Sequence, residues 1–158
     1  MKDLDWANLN FGYRKTDYNV RCNYRDGKWG EIEVCSDEYL RLHMAATCLH
    51  YGQEAFEGLK AYRCPDGKVR VFRMDENAAR LQSTCRGIVM PEVPTELFEE
   101  MVKKVVRLNQ EWIPTYESGA TLYIRPLLIG TSAQVGVHPA KEYTFLIFVT
   151  PVGPYFKG

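Results

Sequence analysis

Residues Tyr18 to Arg25 alternate, with Tyr18, Val20, Cys22 and Tyr24 on one side and Asn19, Arg21, Asn23 and Arg25 on the other. Such alternation marks a strand with one buried and one wetted face. Asp26-Gly27 follows at once and is a strong two-residue hairpin signal, so Lys28 to Val34 is expected to return antiparallel. Leu40, Leu42 and Met44 continue the same period. A second hairpin should join Leu59 to Arg63 with Val69 to Met74. Its turn is Cys64-Pro65-Asp66-Gly67, with proline second and glycine fourth as a type I turn prefers.

The period then lengthens. Asp75 is a candidate N-cap for a helix over Glu76 to Arg86, in which Ala78, Leu81, Gln82 and Cys85 share a face and Gly87 can end it. Thr95 can cap a second helix after Pro94, where Leu97, Met101, Val105, Leu108 and Trp112 recur at spacings of four and three as one apolar stripe. Glu99 with Lys103 and Glu100 with Lys104 add pairs four residues apart on the other side. Two strands close the chain, Thr121 to Ile129 and Tyr143 to Val152, the latter apolar on both faces as in a strand covered on both sides. The loop Gly130 to Pro139 is the one long irregular connection between them, and such loops often carry function. Hairpins first, helices in the middle and strands last predict an α+β domain, a two-layer arrangement of a mainly antiparallel sheet with two main helices packed on one face.

Composition changes this picture little. The 158 residues suit one domain with a sizeable core. Lysine plus arginine balances aspartate plus glutamate at 20 each, with the signs interspersed, which gives no footprint for nucleic acid. No stretch approaches roughly 18 uninterrupted apolar residues, so no membrane-spanning helix is expected. The five cysteines contain no CxxC pair and read as reduced thiols of a cytoplasmic protein. The three histidines, His43, His50 and His138, lack metal-ligand spacing, and no metal is expected.

Candidate chemistry concentrates in three places. The stretch Leu49 to Arg63 is aromatic and acidic, with Tyr51, Glu54, Phe56 and Glu57 around Gly52 and Gly58. It reads equally as a pocket wall and as an ordinary connection leading into a strand. On Thr121 to Ile129 the residues Leu122, Ile124, Pro126 and Leu128 point to a core, while Thr121, Tyr123 and Arg125 point the other way. A phenol thus sits beside a guanidinium, the planar, permanently charged group that receives carboxylates in bidentate fashion. Arg73 falls on the face of Val69 and Val71 just before a helix start, where a cation makes an anion site, although an ion pair with Asp75 or Glu76 accounts for it equally well. There is no GxSxG, HExxH, GxxxxGKS or GxGxxG, and nothing local marks Lys60, Lys141 or Lys157 as desolvated.

Taken together, LHYGQEAFEGLKAYR, VRVFRMDENAARL, LYIRPLLIGTSAQVGV and FVTPVGPYFKG resemble, in order and spacing, the N-terminal half of branched-chain amino-acid aminotransferases, and DLDWANLNFGY is similar too. Four motifs in register favour this family over the D-amino-acid aminotransferases and aminodeoxychorismate lyases of the same fold. The resemblance implies a fold-type IV enzyme using pyridoxal 5′-phosphate, assembled as a homodimer or larger, with residues 1–158 as the small domain and the cofactor held between it and a larger C-terminal domain. It implies that Arg73 holds the cofactor phosphate and that Tyr123 and Arg125 accept the distal carboxylate of glutamate. Phe11, Phe56 and Tyr155 would wall the side-chain pocket, while Tyr51, Val135 and Val137 would reach the neighbouring subunit's site. The lysine that bonds the cofactor is expected beyond Gly158, so no catalytic residue is assigned here and the chain alone is expected to be inactive. Full-length partners would be leucine, isoleucine or valine and 2-oxoglutarate. A non-catalytic binding or dimerisation module is the rival from another class.

Overall fold

The computed structural model describes residues 1–154. The first hairpin forms as the Asp-Gly pair dictates: Asp26 (φ 53°) and Gly27 (φ 75°) both take positive φ and fold β1 (Asn19–Arg25) onto β2 (Lys28–Trp29). The return strand is not continuous to Val34. It breaks where Gly30 N–H donates to the Asn23 carbonyl at 2.8 Å, and resumes as β3 (Glu33–Cys35), also antiparallel to β1. The alternation at Leu40, Leu42 and Met44 makes no strand; just before it the Arg21 guanidinium donates to the Asp37 and Tyr39 carbonyls.

The stretch around the paired glycines is regular rather than a plain connection leading into a strand. A short helix α1 (Thr47–Tyr51) ends where Gly52 turns left-handed (φ 61°), and β4 (Glu54–Phe56) follows. Strand β5 (Leu59–Arg63) pairs with β6 (Val69–Val71) across the expected turn, in which Gly67 N–H donates to the Cys64 carbonyl at 2.9 Å. Helix α2 (Met74–Gly87) begins one residue before Asp75: Arg73 is the cap position, in a left-handed conformation (φ 49°, ψ 47°) and without a side-chain capping bond. The helix end is not made by Gly87 turning left-handed; Val89 carries the positive φ, and Met90 N–H returns to the Cys85 carbonyl.

Helix α3 (Thr95–Leu108) has Pro94 at its cap position, with Thr95 already inside the helix; the Thr95 hydroxyl accepts from Gln82 Nε2 (3.0 Å), a bond that ties α2 to α3. Its buried stripe is Phe98, Met101, Val102, Val105 and Val106, rotated from the expected one. Leu97 and Leu108 flank it, and Trp112 falls in a 3-10 turn beyond the helix. The last strands are β7 (Thr121–Gly130) and β8 (Tyr143–Val152).

The eight strands form one sheet in the order β2-β1-β8-β7-β5-β6, with β3 beside β1 and β4 beside β7, and all described pairings are antiparallel. Registration sorts side chains by face. Val20, Cys22, Ala55, Leu59, Ala61, Leu122, Ile124, Leu128, Phe145, Ile147 and Val149 line the face that α2 and α3 cover, and with the helix stripes they make one core. This is the expected α+β, two-layer architecture. Pro126 lies inside β7 at the break between β4 and β5, where a missing N–H leaves no ladder bond unmade.

Candidate active site

The other face of the sheet carries the chemistry. Because β7 alternates, Tyr123 and Arg125 project together away from the helices, opposite Thr150 and Phe148 of β8. Arg125 Nε donates to the Tyr123 hydroxyl oxygen at 3.0 Å. Its guanidinium lies 4.6 Å from the centroid of the Phe56 ring and 5.2 Å from that of Tyr123. Phe11 meets the Tyr123 ring edge-on at 5.1 Å. Arg125 is half-buried, and among the described residues it has no carboxylate partner. A charged fork fixed by aromatic planes and a phenol can accept a carboxylate in bidentate fashion.

Phe11 reaches this place because residues 10–18 form an arm across the sheet. Arg14 N–H donates to the Thr150 hydroxyl, which in turn donates to the Arg14 carbonyl, both at 2.9 Å. Gly153 N–H donates to the Asn10 carbonyl, and the backbones are so close that a Cβ on Gly153 would stand 1.9 Å from the Leu9 oxygen. At the far end Asn109, fully buried, accepts from the amides of Asp17 and Tyr18 and donates to the carbonyls of Tyr18 and Val105. Between these anchors Tyr13 stacks edge-on against Phe148 and donates to Glu38. Burial, and then that carboxylate, push its phenol up to about 12.

Four expected site residues, Phe11, Phe56, Tyr123 and Arg125, are therefore brought together. Tyr51, Val135 and Val137 make a second group. Tyr51 donates its hydroxyl to the Val135 carbonyl, and α1 is tied to the 130–140 loop by the Ala46–Ala133 bridge and by Gln134 N–H donating to the Ala45 carbonyl. All three side chains are exposed, Val135 and Val137 by 88% and 84%, and the loop leaves β7 at Gly130, roughly 17 Å along the strand from Arg125.

Arg73 stands apart, at the start of α2, bonded to Glu76 (2.6 Å) and within 3.5 Å of Asp75. The ion pairs weighed for it from sequence are both formed. Its neighbour Phe72 nevertheless lines a cleft of about 330 Å³ together with Gly58, Lys60, Tyr62, Asn77 and Tyr123, which joins this end of α2 to the Tyr123 cluster. Tyr155 lies outside the described residues, as does Lys157.

Sequence reasoning missed how Glu57 is used. Its side chain is only 4% exposed, and its carboxylate accepts from Arg80 Nε (3.0 and 2.9 Å), Arg80 Nη2 (2.6 Å) and Asn77 Nδ2 (3.1 Å). The Arg80 guanidinium is shifted upward by these bonds to Glu57. The available signal was Asn77 and Arg80 three residues apart, one turn of α2 facing a lone acid. Lys60 was also passed over; it stands opposite Tyr123 in the β5–β7 register and faces the same cleft.

The same fold recurs within part of longer solved chains. A branched-chain amino acid aminotransferase from Escherichia coli superimposes with a TM-score of 0.66, covering 91% of this chain and 42% of that one at 24% identity. That of Thermoproteus uzoniensis gives 0.67, covering 87% and 43% at 24% identity. No protein-family model matches the chain. Its sequence is similar from end to end to branched-chain-amino-acid aminotransferases. The enzyme of that name from Haemophilus influenzae is 54% identical over 158 residues, 100% of this chain and 46% of that protein, and the one from Helicobacter pylori is 48% identical over the same spans. The chain thus spans about half the length of these curated relatives.

Proposed function

We propose that this chain is the small, N-terminal domain of a branched-chain-amino-acid aminotransferase, whose complete form moves an amino group between leucine, isoleucine or valine and 2-oxoglutarate. The observation that carries the proposal is Arg125, a half-buried guanidinium without a carboxylate partner among the described residues, framed by Phe56, Phe11 and Tyr123. One pocket must take an apolar side chain in one half-reaction and a carboxylate-bearing one in the other. An apolar wall alone rejects glutamate, since a buried unpaired carboxylate is very costly. Here the rings of Phe11 and Phe56 supply the wall, and the Tyr123–Arg125 pair supplies the anion receptor. The names of the relatives and end-to-end identity of 54% and 48% support the same assignment.

The family's cofactor is pyridoxal 5′-phosphate, and a third solved branched-chain amino acid aminotransferase of this fold is described with pyridoxamine 5′-phosphate. The residues present fit its phosphate: Arg73 holds a cation at the start of α2, where no side chain caps the helix amides. Asp75 and Glu76 occupy that cation in this structure and would have to release it. When bound, the cofactor carries the amino group and draws electrons from the substrate α-carbon. The exposed Tyr51, Val135 and Val137 suit contact with a second subunit of a homodimer, and the large domain would close the remaining side of the site. A cytoplasmic setting fits five cysteines that are all free.

The test is single-turnover measurement of each half-reaction in the complete protein, before and after Arg125→Leu. The glutamate half-reaction should lose about 1.5–3 kcal/mol more than the leucine half-reaction. Equal losses would remove the dual-specificity role from Arg125.

A further inference from the structure

Three consecutive residues, Phe56, Glu57 and Gly58, grip the anion receptor from different sides. The Phe56 ring lies against the Arg125 guanidinium at 4.6 Å. Glu57 N–H donates to the Pro126 carbonyl at 2.9 Å, fastening the segment to β7 at the residue that follows Arg125. Gly58 lies so close to Tyr123 that a Cβ there would stand 2.7 Å from the phenol oxygen. The tripeptide therefore sets both the plane on which the guanidinium rests and the limit of phenol movement.

What holds the tripeptide is on the opposite face. Alternation turns the Glu57 side chain toward the helices, where Arg80 and Asn77 of α2 saturate its carboxylate, and Asn77 Nδ2 also reaches the Gly58 carbonyl at 3.4 Å. The carboxylate is buried while Arg80 is 67% exposed, so the clasp is closed from the solvent side by the guanidinium. The same helix has Arg73 at its cap position.

We propose that Glu57, clasped by Arg80 and Asn77, is a positioning residue that holds Phe56 and Gly58 against Arg125 and Tyr123 and so sets the protein's preference for a dicarboxylate over an apolar acid. The proposal rests on the assignment of Arg125 as the receptor for glutamate's distal carboxylate. In Glu57→Gln the side-chain volume is kept but the charge-assisted fork to Arg80 is lost, so the tripeptide is loosened without a cavity being made. The phenol and guanidinium then drift relative to each other. A bidentate contact loses strength with small displacements, whereas an apolar wall tolerates them.

The experiment uses the complete protein loaded with cofactor, with glutarate and 4-methylpentanoate as non-reacting probes. Calorimetry of each should show glutarate weakened at least tenfold in Glu57→Gln and in Arg80→Met, with 4-methylpentanoate changed less than threefold. Arg80→Lys, which restores a cation to the carboxylate, should recover part of the glutarate affinity. A purely structural role would move the melting temperature and weaken both probes alike. Equal weakening of the two, or unchanged glutarate binding, overturns the proposal. If the unaltered protein binds glutarate without needing Arg125, as shown by an unchanged affinity in Arg125→Leu, the receptor assignment fails and the positioning role falls with it. A loss in Arg125→Leu without one in Glu57→Gln retires the positioning role alone.

Discussion

Asn109 offers a direct measure of what the arm over the sheet is worth. Its side chain makes four hydrogen bonds at 2.8–3.1 Å while fully buried, two accepted from the amides of Asp17 and Tyr18 and two donated to the carbonyls of Tyr18 and Val105. Asn109→Ala removes every one of these. A buried polar group left without its partner costs about 1–3 kcal/mol. The arm can lift to expose the groups of Asp17 and Tyr18 to water, but the Val105 carbonyl stays sealed in the last turn of α3 and the arm loses its anchor. The expected loss is therefore about 2–4 kcal/mol, well short of four full penalties. Asn109→Asp should cost at least as much, since it keeps the acceptor but loses both donations and buries a charge. Urea unfolding of each variant reads the loss as a lower midpoint at constant slope. Trypsin should cut faster at Arg14 and Lys15 once the arm lifts. A loss under about 0.5 kcal/mol, with unchanged cleavage, would refute the view that Asn109 holds the arm.

Gly58→Ala should push the Tyr123 phenol from its place, costing about 1–3 kcal/mol in stability and weakening glutamate more than leucine, which thermal melting and steady-state kinetics would register. Arg73→Ala should loosen cofactor retention in the complete protein by roughly ten- to a hundredfold, from the loss of about 1.5–3 kcal/mol of charge-assisted contact, and an unchanged dissociation constant would leave Arg73 as a helix-end ion pair only. Tyr13 has its phenol raised from 10.0 to about 12 by burial and by Glu38, so it stabilises the fold below pH 10 and that contribution is lost as pH rises through about 12. Tyr13→Phe should flatten this part of the alkaline unfolding profile; an identical profile would count against the Tyr13 phenol as its source.

The hairpins, both helices and the two long closing strands were legible because each rests on a local rule. Asp26-Gly27 needs no tertiary context to turn, and Leu122, Ile124 and Leu128 alternate whatever covers them. What escaped were features set by contacts distant in sequence. The rotated stripe of α3 follows from Phe98 stacking on Phe145 of β8, which no spacing within the helix reveals. The Leu40–Met44 alternation found no ladder, and Arg21 holds the chain just before it through the Asp37 and Tyr39 carbonyls. At the site, the Tyr123–Arg125 pair was visible in the period of one strand. The Glu57 clasp was not, because it joins a three-residue strand to a helix face, and nothing local in EAFEG distinguishes a buried acid from a wetted one.

Strand β8 comes last among the described strands yet lies in the middle of the sheet, between β1 and β7. Its partners across β1 are remote: Thr144 bonds Asn23 across 121 residues. During synthesis the first hairpin must therefore wait, its inner edge unsatisfied, until the strand that will cover it has left the ribosome. Such late closure makes folding slow and leaves an adhesive edge open in every shorter nascent chain. The cell then has reason to shield this polypeptide until β8 arrives, and truncations before Tyr143 should aggregate where the longer chain does not.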